Sequence, residues 1–273
     1  MFPIAVQFDL VAPWTSEFLR PVMFAMLAIA AAAGSVSPMV VAGRLAFFTD
    51  SIAHSALLGV SVGFLAGLGD SLPAIMLAAL VTGGLVSVLR AKAGQQLDTL
   101  LGVVMAGALG LGMLLHQFSG STRDLHGYLF GALALLPHAW LWPVIATSVL
   151  VFLASLLIFN RMMLLAVSRD LVKARAMQSG LHEGVLVTLL ALAVSLGVQV
   201  AGILMVGALL IVPAAAARNL CRTVAGFFWT SIVIGVVSAA IGLSISYEPQ
   251  WSPGPCIMVV SVGFFVLSLL RRR

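Results

Sequence analysis

Long apolar runs separated by isolated charges dominate the chain. No Asp, Glu, Lys or Arg falls within 21–43, 51–69, 71–89, 99–122, 125–160, 184–217, 223–247 or 249–270. Each interval can cross a bilayer, because a spanning helix needs about 20 apolar residues. The apolar positions are continuous rather than alternating, which predicts helices and not the strands of a barrel. Two intervals are too long for one helix. In 125–160, Pro137 and Pro143 divide a short membrane-level helix, Tyr128–Leu136, from a span at 143–160, since proline removes a backbone donor and restricts its predecessor. In 184–217, a turn near Gln199–Gly202 gives two spans, and Pro213 is expected to kink the second. The pattern predicts an all-α, polytopic integral membrane protein with nine crossings, at 18–40, 48–67, 73–89, 99–118, 143–160, 184–200, 202–217, 224–244 and 256–271.

Composition excludes a soluble globular protein: of 273 residues, 62% are hydrophobic and 8% charged, against about 25% charged in an average soluble domain. Nine helices leave fewer than about 100 residues for loops, so residues 1–273 are expected to form one transmembrane domain. The formal charge is +5, but in a membrane protein the placement of Lys and Arg says more than the total. Nucleic-acid binding is therefore a poor reading of the basic balance. With the C-terminus in the cytoplasm, nine crossings put Arg44, Arg90, Lys92, Arg161, Arg169, Lys173, Arg175, Arg218, Arg222 and Arg271–Arg273 inside, and only Arg20 and Arg123 outside. The positive-inside bias thus predicts an outer N-terminus and a cytoplasmic C-terminus. The longest cytoplasmic connection is then 161–183. No Lys or Arg precedes Arg20, so the first apolar segment lacks the basic flank of a cleaved signal and is expected to stay. Cys221 and Cys256 fall at opposite ends of one span and should not pair.

The stretch 43–63, GRLAFFTDSIAHSALLGVSVG, carries the most chemistry. Asp50 and His54 are four apart and project from one helical face. With Arg44 at the cytoplasmic edge, six to ten residues of helix carry the pair about 9–15 Å inward. Ionisable residues at that depth are costly; they line an interior pathway or pair with one another. A carboxylate oxygen and an imidazole nitrogen also suit a divalent transition metal. The plainer reading is an Asp–His hydrogen bond that packs two helices.

RLAFFTDSIAHSALLGVSVGF closely resembles the first signature of the permease subunits of bacterial zinc and manganese uptake ABC transporters, in which an Arg, an Asp six residues on and a His four beyond recur. LDTLLGVVMAG at 97–107, LHGYLFGAL at 125–133, SRDLVKARAMQSG at 168–180, GILMVGALLIVPAAAAR at 202–218 and SPGPCIMVV at 252–260 resemble successive motifs of that family, over nearly the whole chain. The resemblance implies an inner-membrane permease that pairs with a second permease copy, two cytoplasmic ATPase subunits and an extracytoplasmic metal-binding receptor. The transported divalent metal is then its only cargo and ATP binds on the partner subunit, with no permanent cofactor and no enzyme activity of its own. The residues agree: Lys92 and Lys173 are the only lysines and neither follows Gly, so the Gly-Lys-Ser/Thr ending of a phosphate-binding loop is missing.

Within the 161–183 loop, SRDLVKARAMQSG resembles the family's short cytoplasmic helix that docks in a cleft of the ATPase. Asp170, Lys173, Ala174 and Gly180 match its recurrent positions: Asp170 suits a helix N-terminus, Ala174 a close contact and Gly180 a helix C-terminus. The plainer reading is a solvated positive-inside loop. For the metal, manganese-type members read Met-Gly-Asp before the pair and Leu-Pro-Gly after it, whereas zinc-type members read Phe-Gly-Asp and Leu-Leu-Gly. Phe48 and Leu57-Leu58-Gly59 lean toward zinc, with manganese or iron as the alternative. Thr49 departs from the usual Gly, and Ala106 stands where some zinc members carry His. His116 and His126, near the outer end of a span and in an outer loop, could meet an incoming metal, although interfacial histidines are the commoner case. His138, between Pro137 and Trp140, reads as an interfacial anchor. Two other classes stay open beside the permease. An ion-coupled secondary carrier would use Asp50 as a proton site. An intramembrane enzyme would need a further nucleophile or base, for which no motif is present.

Overall fold

The computed structural model describes residues 12–17, 20–68, 72–93, 97–119, 126–131, 138–167, 179–203, 206–247, 249 and 251–271. Every regular element among them is helical. The order is α1 (Ala12–Thr15), α2 (Arg20–Ala42), α3 (Ala46–Leu65), α4 (Leu72–Ala93), α5 (Leu97–Phe118), α6 (His126–Phe130), a 3-10 turn (His138–Trp140), α7 (Leu141–Val167), α8 (Ser179–Ala201), α9 (Val206–Leu220), α10 (Val224–Tyr247) and α11 (Pro253–Leu270). Among the described residues seven helices are long and apolar enough to cross a membrane, joined by the shorter apolar stretches Gly184–Val198 and Val206–Leu220. Each of the nine expected spans overlaps one of these helices.

Three local readings change. Residues 161–167 continue α7, because Met162, Met163, Leu164, Leu165, Ala166 and Val167 extend the apolar run beyond Arg161. The short helix expected at Tyr128–Leu136 is α6, ending at Phe130, because Gly131 takes φ +77°, a left-handed conformation that glycine adopts freely and that closes a helix. Gly180 is the second residue of α8 rather than the close of a preceding helix. The turn expected near Gln199–Gly202 is present at Gly202, with φ +79°.

Helix α2 is central and largely buried. It packs against α7, α8, α9 and α10, while α3 packs against α4, α5, α8 and α9. The other helices present exposed Leu, Val, Phe and Trp side chains, among them Leu111, Phe118, Trp142, Leu157 and Val259. An apolar surface of that extent suits lipid and not water.

In lipid, helices gain little from apolar burial against one another, so small residues and hydroxyls set their packing. Ser155 Oγ donates to Ser35 Oγ at 2.7 Å between α7 and α2. Pro213 interrupts the bonding ladder of α9, and the amide of Ala214 donates to Ser37 Oγ of α2 at 3.2 Å. Gly59 brings α3 against α4 so closely that a Cβ would meet Ala74 O and Ile75 Cα, each at 2.7 Å. Both contacts are backbone, so relief requires moving a helix. Gly59→Ala should therefore destabilise the protein by about 1–3 kcal/mol, the usual cost of overpacking, measurable by thermal unfolding in detergent.

Candidate metal pathway

Asp50 and His54 are brought together on α3 as their spacing predicts. His54 Nδ1 lies 2.9 Å from the backbone oxygen of Asp50. A carbonyl only accepts, so Nδ1 carries the proton, and in the neutral ring Nε2 presents its lone pair. The Asp50 carboxylate is 3.8 Å from Nδ1, too far for a hydrogen bond. It is thus not consumed by His54. The Asp50 side chain is 36% exposed and that of His54 15%, so both reach open space from a largely buried helix.

The walls around the pair come from α5 and α9. Ser51 Oγ donates to Leu101 O at 3.1 Å, and Ser61 Oγ to Gly112 O at 2.7 Å. The two ties fix α5 parallel to α3, with Ala106 between them at the level just beyond His54. On the other side, Gly207, in the first turn of α9, lies against Asp50: a Cβ there would sit 3.1 Å from Asp50 Oδ1. A carboxylate beside a helix N-terminus is favourably placed in the field of the peptide dipoles. Among the described residues α5 and α9 make no substantial contact with each other. They leave part of α3 uncovered between them, a groove in which Asp50 and His54 are partly exposed.

Among the described residues no group of three or more His, Cys, Asp and Glu side chains comes together. The Asp50–His54 pair of one chain thus offers at most two candidate ligands, fewer than the four of a typical closed zinc site. His116, on α5, is half-buried with its ring 5.8 Å from that of Phe64. His126 begins α6 and His138 begins the 3-10 turn. Asp170, Lys173 and Ala174 lie outside the described residues. Cys221, after α9, and Cys256, in α11, are both free thiols.

A model of the ABC 3 transport family matches residues 15–272. The chain belongs to that family. As an ABC 3 member it is a membrane-spanning permease subunit of the ABC metal-import type. It is 30% identical over 258 residues to the high-affinity zinc uptake system membrane protein ZnuB of Haemophilus influenzae, covering 94% of this chain and 98% of that one. It is 27% identical over 252 residues to the manganese import system permease protein ScaB of Streptococcus parasanguinis, covering 92% and 90%. The solved PsaBC from Streptococcus pneumoniae in complex with Fab has the same fold, with a TM-score of 0.85 at 23% identity, over 96% of this chain and 94% of that chain.

Gly207 is the residue of this ABC 3 permease that sequence reasoning passed over. It stands inside the family-like stretch GILMVGALL, yet only the fold shows that its missing side chain makes room for the Asp50 carboxylate. Gly207→Leu should lower metal uptake about 10- to 100-fold, the usual effect of disturbing a group that orients a metal ligand, while the amount of protein in the membrane stays unchanged. Uptake by the variant beside a membrane immunoblot checks this.

Proposed function

We propose that this ABC 3 permease moves zinc into the cytoplasm through a site formed by Asp50 and His54, with ATP hydrolysed on a separate subunit. The observation that carries the reading is the His54 Nδ1 contact with the Asp50 carbonyl. It orients Nε2 for a cation beside an unconsumed carboxylate, a mixed nitrogen and oxygen set that zinc accepts and that gives manganese fewer oxygens than it favours. Phe48 and Leu57-Leu58-Gly59 support zinc over manganese or iron. The names of relatives include both zinc and manganese systems, so the metal is a matter for measurement.

Two copies of the chain complete the site. Two ligands from each copy make a tetrahedral set, and a second copy seated over the groove removes Asp50 from lipid, where a charge is costly. On α5, Gly102, Ala106 and Gly110 recur at spacings of four, and all three are exposed. That small-residue edge allows a second helix to come close. Such a site could hold zinc tightly enough to hinder release, so the helices separate during transport and use the four ligands in passing. Nine crossings with an outer N-terminus put Arg44 at the cytoplasmic face and Leu65 at the outer face. An extracytoplasmic receptor then delivers the metal at the Leu65 end, and two ATPase subunits engage the connection between α7 and α8, with Asp170, Lys173, Ala174 and Gly180 at the contact.

The test is uptake of radiolabelled zinc by proteoliposomes containing permease, ATPase and loaded receptor, with manganese and iron as competitors. Zinc uptake that excess manganese leaves intact supports the reading. Manganese uptake with no zinc uptake overturns the choice of metal, and uptake without ATP or ATPase overturns the ABC mechanism in favour of a secondary carrier.

A further inference from the structure

The α3 face that carries Asp50 and His54 continues toward the far end of the helix. Residues 50, 54, 57, 61 and 64 recur at spacings of four and three, so they line one side. The face is open at Asp50, narrower at His54, and closed at Leu57 and Ser61, both 0% exposed. It ends at Phe64, whose ring lies 5.8 Å from the His116 imidazole and 6.0 Å from the Tyr128 ring. Ten residues of helical rise separate Phe64 from His54, about 15 Å. The His116 ring therefore stands at the end of the metal pair's own stripe.

His116 Nδ1 is buried and has no hydrogen-bond partner among the described residues. A neutral imidazole offers one N–H and one lone pair. If Nδ1 carries the proton, a buried donor lacks an acceptor; if it does not, a buried lone pair lacks a donor or a cation. Leaving such a group unpaired is destabilising, and packing on Phe64 alone would be met as well by an apolar ring. We propose that His116 is the first protein ligand of the transported divalent cation: its Nδ1, in the Nε2–H tautomer and covered in this conformation, accepts the cation at the outer end, and the cation reaches His54 and Asp50 only when α5 parts from α3 at Leu57 and Ser61. This rests on the orientation and cargo given under Proposed function. One nitrogen beside an aromatic ring binds weakly, which suits a station that must release its cation inward. It also favours zinc-like ions over magnesium and calcium, which prefer oxygen.

The complete transporter in proteoliposomes, with zinc-loaded receptor, tests the assignment. His116→Phe keeps a ring on Phe64 and removes the nitrogen. Zinc delivered per ATP hydrolysed should fall about tenfold, the lower range for losing a group that supports metal binding, while receptor-stimulated ATP hydrolysis stays at the parent rate. An unchanged ratio overturns the proposal. So does an equal fall in uptake and hydrolysis, which a packing role alone would give. Should His116→Phe not assemble, His116→Gln carries the same two outcomes. Parent proteoliposomes that take up no divalent metal overturn the transport reading itself, whereas parent uptake matched by both variants overturns only the role of His116.

Discussion

Asp50→Asn and His54→Ala should each reduce zinc uptake at least about 100-fold, since changes to groups that merely support a metal ligand already cost about 10- to 100-fold. Asp50→Asn preserves the shape of the side chain beside Gly207 and removes only its charge. A loss of uptake in that variant therefore reports on the carboxylate and not on packing. His54→Ala removes the oriented Nε2 and leaves the Asp50 carbonyl within α3. Because the His54 ring is not hydrogen-bonded to the Asp50 carboxylate, neither change strips the other residue of a side-chain partner. Both variants should reach the membrane and assemble with the ATPase at parental levels. Parental uptake in both would contradict the site.

Ala174→Trp should separate ATP hydrolysis from transport without touching the metal pair. A segment that docks in a cleft of a partner needs a small side chain at its closest approach, and tryptophan there blocks contact by bulk alone. Receptor-stimulated hydrolysis should fall to the unstimulated level or the ATPase should fail to co-purify, while zinc binding to the detergent-solubilised permease is retained. Reversing the charge at Asp170 should act in the same direction with a smaller effect. A purified Ala174→Trp complex that hydrolyses ATP in step with receptor and metal would remove this role from the connection between α7 and α8. Together the two sets of variants distinguish a pathway from a coupling device, because the first alters metal binding before hydrolysis and the second does the reverse.

The helices were legible because the membrane imposes a local rule. A run without charge must be long enough to cross, and breakers such as Gly202 divide the runs that are too long. The Asp50–His54 pair was legible for the same reason, since a spacing of four on a helix fixes a shared face with no knowledge of the rest of the chain. The α7 boundary was misjudged because Arg161 looked like the end of a span, although a long basic side chain can lie near a helix end and reach the interface. Glycine's usual preference for helix ends points to a close at Gly180, but Gly180 lies in the first turn of α8. What a linear reading did not offer are contacts between distant segments. Gly207 against Asp50, Ser61 on Gly112 and His116 against Phe64 each depend on how α3, α5 and α9 meet. Small residues and hydroxyls are unremarkable as composition, and only packing reveals which of them bound the groove.

The central claim is that a metal ion passes between two copies of the Asp50–His54 pair. X-ray absorption at the zinc edge, on the permease–ATPase complex loaded with zinc without receptor or ATP, tests it most directly. The account predicts one zinc per two permease chains, with two imidazole nitrogens at about 2.0–2.1 Å and two carboxylate oxygens at about 2.0–2.2 Å, and no bound zinc in His54→Ala. Zinc bound through sulfur, or an unchanged spectrum and stoichiometry in His54→Ala, would contradict it.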